Sequence, residues 1–179
     1  SILTTTNNLT IGLRPDGNRF SGLIDEVRIY NRALSAAEIK TLYQSGAAKI
    51  LAPSNLGLVG YWPLNEGSGL EATDFSGNAN QGKLTNDPVW TNGKLGKALD
   101  FDGVDDYILV PDANNLDFGT DAVTLAAWIK ASSVLNNNGC RRIITKHTTD
   151  VDQAFSFGLS SENSAPFITG VSVEGGLEF

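Results

Sequence analysis

Short runs of alternating apolar and polar residues dominate this chain and predict β-strands. Clusters of Gly, Asn and Asp separate the runs, and Asp16-Gly17 and Asn92-Gly93 are turn pairs typical of β-hairpins. So many short strands at this spacing predict an all-β antiparallel sandwich. The predicted strands are Leu9–Gly12, Leu23–Tyr30, Leu58–Leu64, Ala98–Phe101, Tyr107–Val110, Val123–Lys130, Arg142–Lys146, Ala154–Leu159 and Phe167–Val173.

Apolar residues at every second position of two strands, together with one tryptophan, predict the core. Side chains at alternate positions are buried where one face of a sheet meets the other sheet. The predicted core residues are Val123, Leu125, Ala127 and Ile129, then Phe155, Phe157 and Leu159, and Trp62.

One short helix is predicted over Ala36–Gln44. Ser35 and Glu38 have the spacing of a capping box, in which each side chain satisfies a backbone N–H of the other residue. The helix is too short to be stable alone, so its apolar stripe must dock on the sandwich. That stripe consists of Ile39, Leu42 and Tyr43.

The strand Leu23–Tyr30 contains a carboxylate where its alternation predicts an apolar residue. Period two places Asp25 on the same face as Val27 and Ile29, towards the core or its rim. A buried carboxylate is costly without a partner, so Asp25 needs a cation, an Arg side chain or several N–H donors. A hard cation such as Ca²⁺ would suit it.

Two loops with oxygen ligands could complete a calcium site with Asp25. One loop contains Glu66. The other contains Asp74, Ser76 and Asn78, with a spacing like part of a calcium loop but without the terminal Glu of an EF-hand. The alternative is that these three residues only shape a turn and cap backbone groups.

The composition excludes some functions and gives little support to catalysis. Thirteen basic and 20 acidic residues give a net charge of −7, a poor match for nucleic acid. No run reaches the roughly eighteen apolar residues of a membrane span. The sequence contains one His, His147, and one Cys, Cys140, too few for a transition-metal site built from these residue types. The paired carboxylates of a sandwich glycoside hydrolase are not spelled out along one strand, so we predict a non-catalytic protein.

Aromatic and acidic residues suggest a surface for a ligand. Trp128 lies opposite the apolar face of its strand and could stack on a sugar ring, with burial as the alternative. Tyr107 follows the acidic turn Asp102–Asp106, in which Asp105 could contact a ligand or a second metal. The alternative for this turn is a solvated connection between two strands.

Two blocks of the sequence resemble the LamG-like branch of the concanavalin A-like lectin/glucanase superfamily. The first is Phe20–Ser35, centred on Ile24-Asp25-Glu26-Val27-Arg28 and followed by the helix. The second comprises Gly60–Gly69, Asp74–Asn78, Leu99–Tyr107 and Val123–Ile129.

This resemblance implies a jelly-roll of two curved antiparallel sheets in an extracellular or cell-surface module. Such modules are mostly non-catalytic and serve carbohydrate binding or cell adhesion. The implied partner is a glycan or a component of the extracellular matrix. Many relatives hold a structural Ca²⁺ at the rim of the sandwich. The resemblance makes Asp25 a ligand of that ion, with further oxygens from the loops around Glu66 and Asp74.

The order of the two blocks is reversed relative to the family, and the family's central strands are missing. We therefore divide the chain into a C-terminal-type block at 1–46, a linker at 47–57 and an N-terminal-type block at 58–179. Because the chain contains no Met, a processed chain or a fragment across two domains is one explanation. A circular permutant is the second, and a sandwich that shares strands with other copies of the chain is the third.

The predicted function is therefore a carbohydrate-binding or adhesion module. The alternative is a structural subunit of an extracellular assembly. Strand sharing between copies would run head to tail, and such contacts build rings or filaments.

Overall fold

In the computed structural model, the protein is a sandwich of two antiparallel β-sheets. The structure describes residues 6–13, 19–44, 55–119, 122–132, 141–147, 153–159 and 166–169. Within these ranges there is one α-helix, and the predicted all-β, concanavalin A-like sandwich is confirmed. The elements are β1 (Leu9–Ile11), β2 (Ser21–Tyr30), α1 (Ala36–Gln44), β3 (Leu58–Trp62), β4 (Glu71–Ala72), β5 (Gly82–Thr85), β6 (Val89–Asn92), β7 (Lys97–Asp102), β8 (Tyr107–Val110), β9 (Thr124–Ala131), β10 (Arg141–His147), β11 (Gln153–Leu159) and β12 (Pro166–Thr169).

The first sheet has seven strands, in the order β12-β11-β10-β1-β8-β5-β4. Strand β1 has three residues and lies inside this sheet. Its Thr10 is opposite Thr145 of β10 on one side and opposite Leu109 of β8 on the other. The first described strand therefore lies in a sheet whose other strands all follow β3 in the sequence.

The second sheet is organised around the ten residues of β2. Strand β9 pairs with β2 between Gly22 and Tyr30, along one edge. Two strands share the other edge, end to end: β7 pairs with Ser21–Ile24, and β3 pairs with Val27–Tyr30. Strand β6 continues the sheet beyond β7. Both sequence blocks thus contribute strands to the same sandwich within one chain.

The core lies between the two sheets and contains the residues that the alternation predicts. The Trp62 indole is fully buried and donates a hydrogen bond to the Asn80 carbonyl at 2.9 Å. Burial of a large apolar side chain contributes about 1.5–3 kcal/mol to folding. Of the predicted set, Leu125, Phe155 and Leu159 are buried as well, and Val123, Ala127, Ile129 and Phe157 are partly buried against the same cluster.

The observed strands differ from the predicted ones where segments are short or irregular. The apolar pattern does not predict β4, β5 or β6, because each is at most four residues long and none has an extended alternation. Strand β3 ends at Trp62, since Pro63 has no N–H for the ladder and Leu64 has a left-handed φ of 53°. The predicted Asp16-Gly17 turn lies outside the described residues.

Helix α1 begins with the predicted capping box. The Glu38 carboxylate accepts a hydrogen bond from the Ser35 backbone N–H at 2.8 Å, and the Ser35 hydroxyl accepts one from the Glu38 N–H at 3.4 Å. Arg32 adds an ion pair of 2.5 Å to the same carboxylate. The hydrogen bond from Arg32, followed by those from Ser35, lowers the pKa of Glu38 from 4.5 to about 2.

The apolar stripe of α1 docks only in part. The Tyr43 ring contacts Trp128 with 5.4 Å between the ring centroids, and Leu42 is partly buried. Ile39 is 49% exposed, Tyr43 is 61% exposed, and no residue of the helix is buried. The helix is thus attached to the sandwich over a small area.

Nowhere in the described ranges is a helix long and apolar enough to cross a membrane.

Replacing Glu38 with Gln should make the free energy of unfolding less dependent on pH in the acidic range. A carboxyl group whose pKa is lowered by folding stabilises the folded state above its unfolded value of 4.5, and this contribution is lost as the pH falls towards 2. We expect the free energy of unfolding of Glu38→Gln to fall less steeply with pH than that of the wild type in this range, as measured by denaturant titration. The exposed Glu71 provides a control in Glu71→Gln, and equal slopes for Glu38→Gln and the wild type would contradict the assignment.

Candidate functional site

The candidate site is the middle of β2, where β3 and β7 meet along one edge of the strand. Asp25 and Glu26 lie between Ile24, the last residue paired with β7, and Val27, the first paired with β3. We call this gap, defined by Asp25 and Glu26, the seam. The regular ladder is interrupted at the seam, so polar groups there need other partners.

A β-bulge at the seam interrupts the pairing with β9 on the other edge. Asp25 is opposite Trp128, whereas Arg28 is opposite Ala126, so two residues of β2 face one residue of β9. Glu26 has a left-handed φ of 55°, which is uncommon for a residue with a side chain. The left-handed backbone of Glu26 therefore accommodates the extra residue of the bulge.

The bulge corrects the predicted orientation of Asp25. An uninterrupted alternation places Asp25 on the same face as Val27, but the core contains both Ile24 and Val27. One extra residue inverts the alternation along a strand. Asp25 is thus on the face opposite Ile24, together with Arg28 and Tyr30, and we call this side of the second sheet the outer face.

Asp25 is buried although it lies on the outer face. Only 2% of the surface of Asp25 is exposed to solvent. Oδ2 accepts a hydrogen bond from the Leu95 N–H at 2.9 Å, whereas Oδ1 is buried with no hydrogen-bond partner among the described residues. Burial raises the pKa of Asp25 to about 6, and the Leu95 hydrogen bond opposes this effect. The buried position therefore disfavours the ionised form of Asp25 unless a positive charge lies close to the carboxylate.

The second carboxylate at the seam has a positive partner. Glu26 is buried and forms an ion pair with Arg28, at 2.5 Å between Oε2 and Nη2. The Tyr61 hydroxyl donates to Glu26 Oε2 at 3.0 Å, and the Arg28 guanidinium lies 4.2 Å from the Tyr61 ring centroid. Burial raises the pKa of Tyr61 to about 12, opposed by the charge of Arg28. Asp25 and Glu26 are adjacent in sequence, but only Glu26 has its negative charge balanced by an arginine.

The predicted ligands Asp74, Ser76 and Asn78 lie together in one turn. Asp74 Oδ1 accepts the backbone N–H groups of Tyr61 and Ser76, at 2.9 and 2.8 Å. Asp74 Oδ2 accepts the Ser76 hydroxyl and the Asn80 N–H, at 2.8 and 2.9 Å. The Asn78 side chain donates to the Ser76 hydroxyl at 3.1 Å. This geometry is that of the turn alternative, and metal binding by these three residues stays a prediction.

Glu66 lies in a segment that contacts the hairpin loop between β6 and β7. Its Oε1 accepts the Thr73 N–H at 2.7 Å, and its Oε2 is buried with no hydrogen-bond partner in the described part of the chain. The preceding residue, Asn65, accepts the Lys97 N–H at 2.7 Å. Asp25 contacts the same hairpin loop. Each of the two predicted ligands, Asp25 and Glu66, therefore carries one unsatisfied carboxylate oxygen.

The acidic turn before β8 brings three carboxylates together. Ligand oxygens of Asp102, Asp105 and Asp106 lie within 4.8 Å of one another. Asp102 accepts the Val104 N–H at 2.7 Å, and Asp106 accepts the Asp102 N–H at 3.0 Å, as in a tight turn. Asp105 is exposed, and Tyr107 is partly buried. These two predicted ligand-binding residues are therefore neighbours at one end of the first sheet.

Trp128, the third predicted ligand-binding residue, lies on the outer face of the second sheet and is partly exposed. It belongs to a different sheet from Tyr107, so the prediction covers two separate surfaces. Besides Tyr43, the Trp128 ring contacts the Lys94 ammonium, 5.0 Å from the ring centroid. Sequence analysis gives Tyr43 only as part of the docking stripe of α1 and misses Lys94, because only the tertiary structure brings the helix and the hairpin loop to β9.

Comparison with known proteins supports the fold over part of the chain. A family model described as the concanavalin A-like lectin/glucanases superfamily matches residues 1–40. This match contains the first block of the resemblance, including Asp25 and Glu26, and does not extend to the second block. Searches of curated proteins and of solved structures gave no match. The family match and the two-sheet architecture together support a LamG-like, concanavalin A-like sandwich.

Gly93→Ala should destabilise the protein because the added Cβ would collide with the Asp25 carboxylate and with the backbone of Lys97. A Cβ at Gly93 would lie 2.5 Å from Asp25 Oδ2 and 2.5 Å from the Lys97 carbonyl oxygen. We expect a loss of about 1–3 kcal/mol in the free energy of unfolding, the usual cost of overpacking. Gly69→Ala is the comparison variant, because a Cβ there meets nothing within 4 Å and tests only the cost of a left-handed φ. A Gly93→Ala protein as stable as the wild type would contradict this geometry.

Proposed function

We propose that this protein is a non-catalytic, extracellular LamG-like module that binds carbohydrate through the outer face of its second sheet. The observation that carries the proposal is the partly exposed Trp128 ring, with Tyr43 and Lys94 beside it. Large aromatic side chains supply an apolar surface for a sugar ring, and nearby polar groups are available to its hydroxyls. Adhesion to a matrix glycan would use the same surface.

The carboxylates near Trp128 favour binding over hydrolysis. Glycoside hydrolysis needs two carboxyl groups, one on each side of the scissile bond. Glu26 is held by Arg28 and Tyr61, and Asp25 is buried against the β6–β7 hairpin loop. Neither of these carboxylates is presented to a substrate. We therefore assign the outer face no catalytic role.

We further propose that a structural Ca²⁺ ion binds at the seam. Asp25 Oδ1 is a buried carboxylate oxygen that lacks a hydrogen bond within the described residues, and Glu66 Oε2 is another. A buried charge of this kind is costly unless a cation compensates it. Ca²⁺ binds carboxylate and carbonyl oxygens, and Asp25 and Glu66 each offer a carboxylate oxygen of this kind. Asp25 and Glu66 would bind the ion, and Asp74, Ser76 and Asn78 would shape the neighbouring turn.

Pairing within the chain favours a self-contained module over a head-to-tail assembly. In an assembly built by strand exchange, β1 and β2 of one copy would complete the sandwich of another copy. Here β1 pairs with β8 and β10, and β2 pairs with β3, β7 and β9, all in the same chain. These hydrogen bonds are the ones that exchange would supply, so the module is the function that we favour.

Trp128→Ala should reduce carbohydrate binding at least tenfold, because it removes the stacking surface. Binding would be measured on a glycan array and then by calorimetry with the glycan that the wild type binds. Tyr107→Ala is the comparison variant, since it alters the other predicted ligand surface in the first sheet. Loss of binding in Tyr107→Ala with retention in Trp128→Ala would move the site to the acidic turn. A wild type that binds no glycan would contradict the proposal.

Compared with the wild type, Asp25→Asn should have a higher melting temperature in EDTA and a lower one in calcium. A pKa raised from 3.8 to about 6 means that the ionised carboxylate opposes folding at neutral pH. In EDTA, Asn removes this charge and keeps an acceptor for the Leu95 N–H, so we expect a rise of a few degrees. With calcium, the wild type gains stability from the bound ion and the variant does not.

Asp74→Asn is the control for this experiment, because hydrogen bonds from Tyr61, Ser76 and Asn80 already occupy both Asp74 oxygens. It should keep the calcium effect. Loss of that effect in Asp74→Asn alone would assign the ion to the turn. A wild type whose melting temperature is the same in EDTA and in calcium would contradict the metal site.

A further inference from the structure

Strand β10 carries a fully buried lysine, Lys146, on its core-facing side. Lysine is almost never fully buried unless its charge is paired, yet Lys146 is 0% exposed. It follows the core residue Ile144 by two positions, so both side chains lie on the same face of the strand. Phe155 is directly opposite Lys146 in β11, and its ring lies 5.3 Å from that of Phe118 between centroids. The Lys146 side chain therefore emerges beside aromatic residues of the core.

Two carboxylates contact the Lys146 ammonium at the rim of the core. Nζ lies 2.8 Å from Asp112 Oδ1 and 2.8 Å from Asp117 Oδ1. Both acids belong to the connection that follows β8, in which Leu116 is fully buried. The Asp117 side chain is 17% exposed and the Asp112 side chain 29%. We call Lys146, Asp112 and Asp117 the buried triad.

The buried triad contains the three groups that an amide bond between side chains requires. Condensation needs an amine as nucleophile, a carboxyl carbon as electrophile and a neighbouring group that transfers protons. Such a reaction is fast only when the reacting atoms are held about 3–3.5 Å apart, and a nitrogen hydrogen-bonded to a carboxyl oxygen lies near that distance from the carboxyl carbon. Exclusion of water favours the neutral, nucleophilic amine and limits hydrolysis of the product.

We propose that Lys146 and Asp117 form an isopeptide bond within the chain, and that Asp112 transfers the protons. Nζ attacks Cγ of Asp117, and a new N–C bond forms. Asp112 carries the two protons that Nζ loses to one carboxyl oxygen of Asp117, and this oxygen leaves as water when its bond to Cγ breaks. One ammonium and one carboxylate thus become one amide and one water molecule, without an oxidant or a cofactor. Asp117 is the acceptor because it is the more buried acid.

The bond would fasten together two strands that do not pair with each other. Lys146 belongs to β10, and Asp117 belongs to the connection after β8, 29 positions earlier in the chain. In the first sheet, β8 and β10 are separated by β1, which has only three residues. The chain contains a single Cys, so no disulfide within the chain can take this role. A covalent cross-link stabilises a fold chiefly by restricting the unfolded chain.

The test is the intact mass of the purified wild type, followed by mass spectrometry of a tryptic digest. We expect the intact mass to be lower than the sequence mass by one water molecule. Trypsin does not cleave after an acylated lysine, so the peptide 98–130 should stay joined to the peptide 143–179.

Lys146→Arg is the matched control, because it keeps a positive charge for both carboxylates but its guanidinium stays protonated and does not attack. It should have the full sequence mass, and so should Asp117→Ala, which lacks the acceptor. Asp112→Asn keeps a polar side chain without the proton-transferring carboxylate, and the joined peptides should be lost or strongly reduced in it.

A wild type with the full sequence mass would overturn the inference and leave the buried triad as an ion-paired cluster. A loss of water without joined peptides would overturn it as well, because a succinimide at Asp16-Gly17 or Asp102-Gly103 has the same mass. Joined peptides at the wild-type level in Asp112→Asn would overturn the role of Asp112. The experiment does not involve Trp128, so its result leaves the proposed carbohydrate binding to be decided by the glycan measurements.

Discussion

The left-handed backbone at Glu26 allows β2 to change faces halfway along its length. Before this residue, Ile24 points into the core, and after it Val27 and Ile29 do so. The same interruption separates β7 from β3 along one edge of the strand. A regular β2 with Val27 and Ile29 in the core would put Asp25 among apolar side chains, on the face opposite Arg28 and Tyr30.

The bulge also explains how two adjacent carboxylates acquire different roles. Glu26 is close to Arg28 and Tyr61 and forms a neutralised network with them. Asp25 reaches the β6–β7 hairpin loop, where one backbone N–H is its hydrogen-bond donor. The first arrangement stabilises the fold whatever is bound, whereas the second leaves an oxygen available to an ion. A single strand thus provides a structural polar cluster and a candidate binding group side by side.

The parts of the fold that depend on local pattern could be predicted from the sequence. The capping box of Ser35 and Glu38 predicted the start of α1, and alternation predicted the burial of Leu125 and Phe155. The face of Asp25 could not be predicted, because nothing in the residue types of β2 marks one position as the extra residue of a bulge. The contacts of Trp128 could not be predicted either, since they depend on how a helix and a hairpin loop meet β9 in space.

The three residues of β1 have a large influence on the first sheet. On one side of β1 lie β10, β11 and β12, and on the other lie β8, β5 and β4. Among the described strands, β1 alone joins these two groups, so proteolytic removal of the segment around Leu9–Ile11 would divide the sheet into two halves with open hydrogen-bonding edges. Open edges pair readily with other chains and promote aggregation. Loss of β1 would therefore expose two strand edges that favour aggregation.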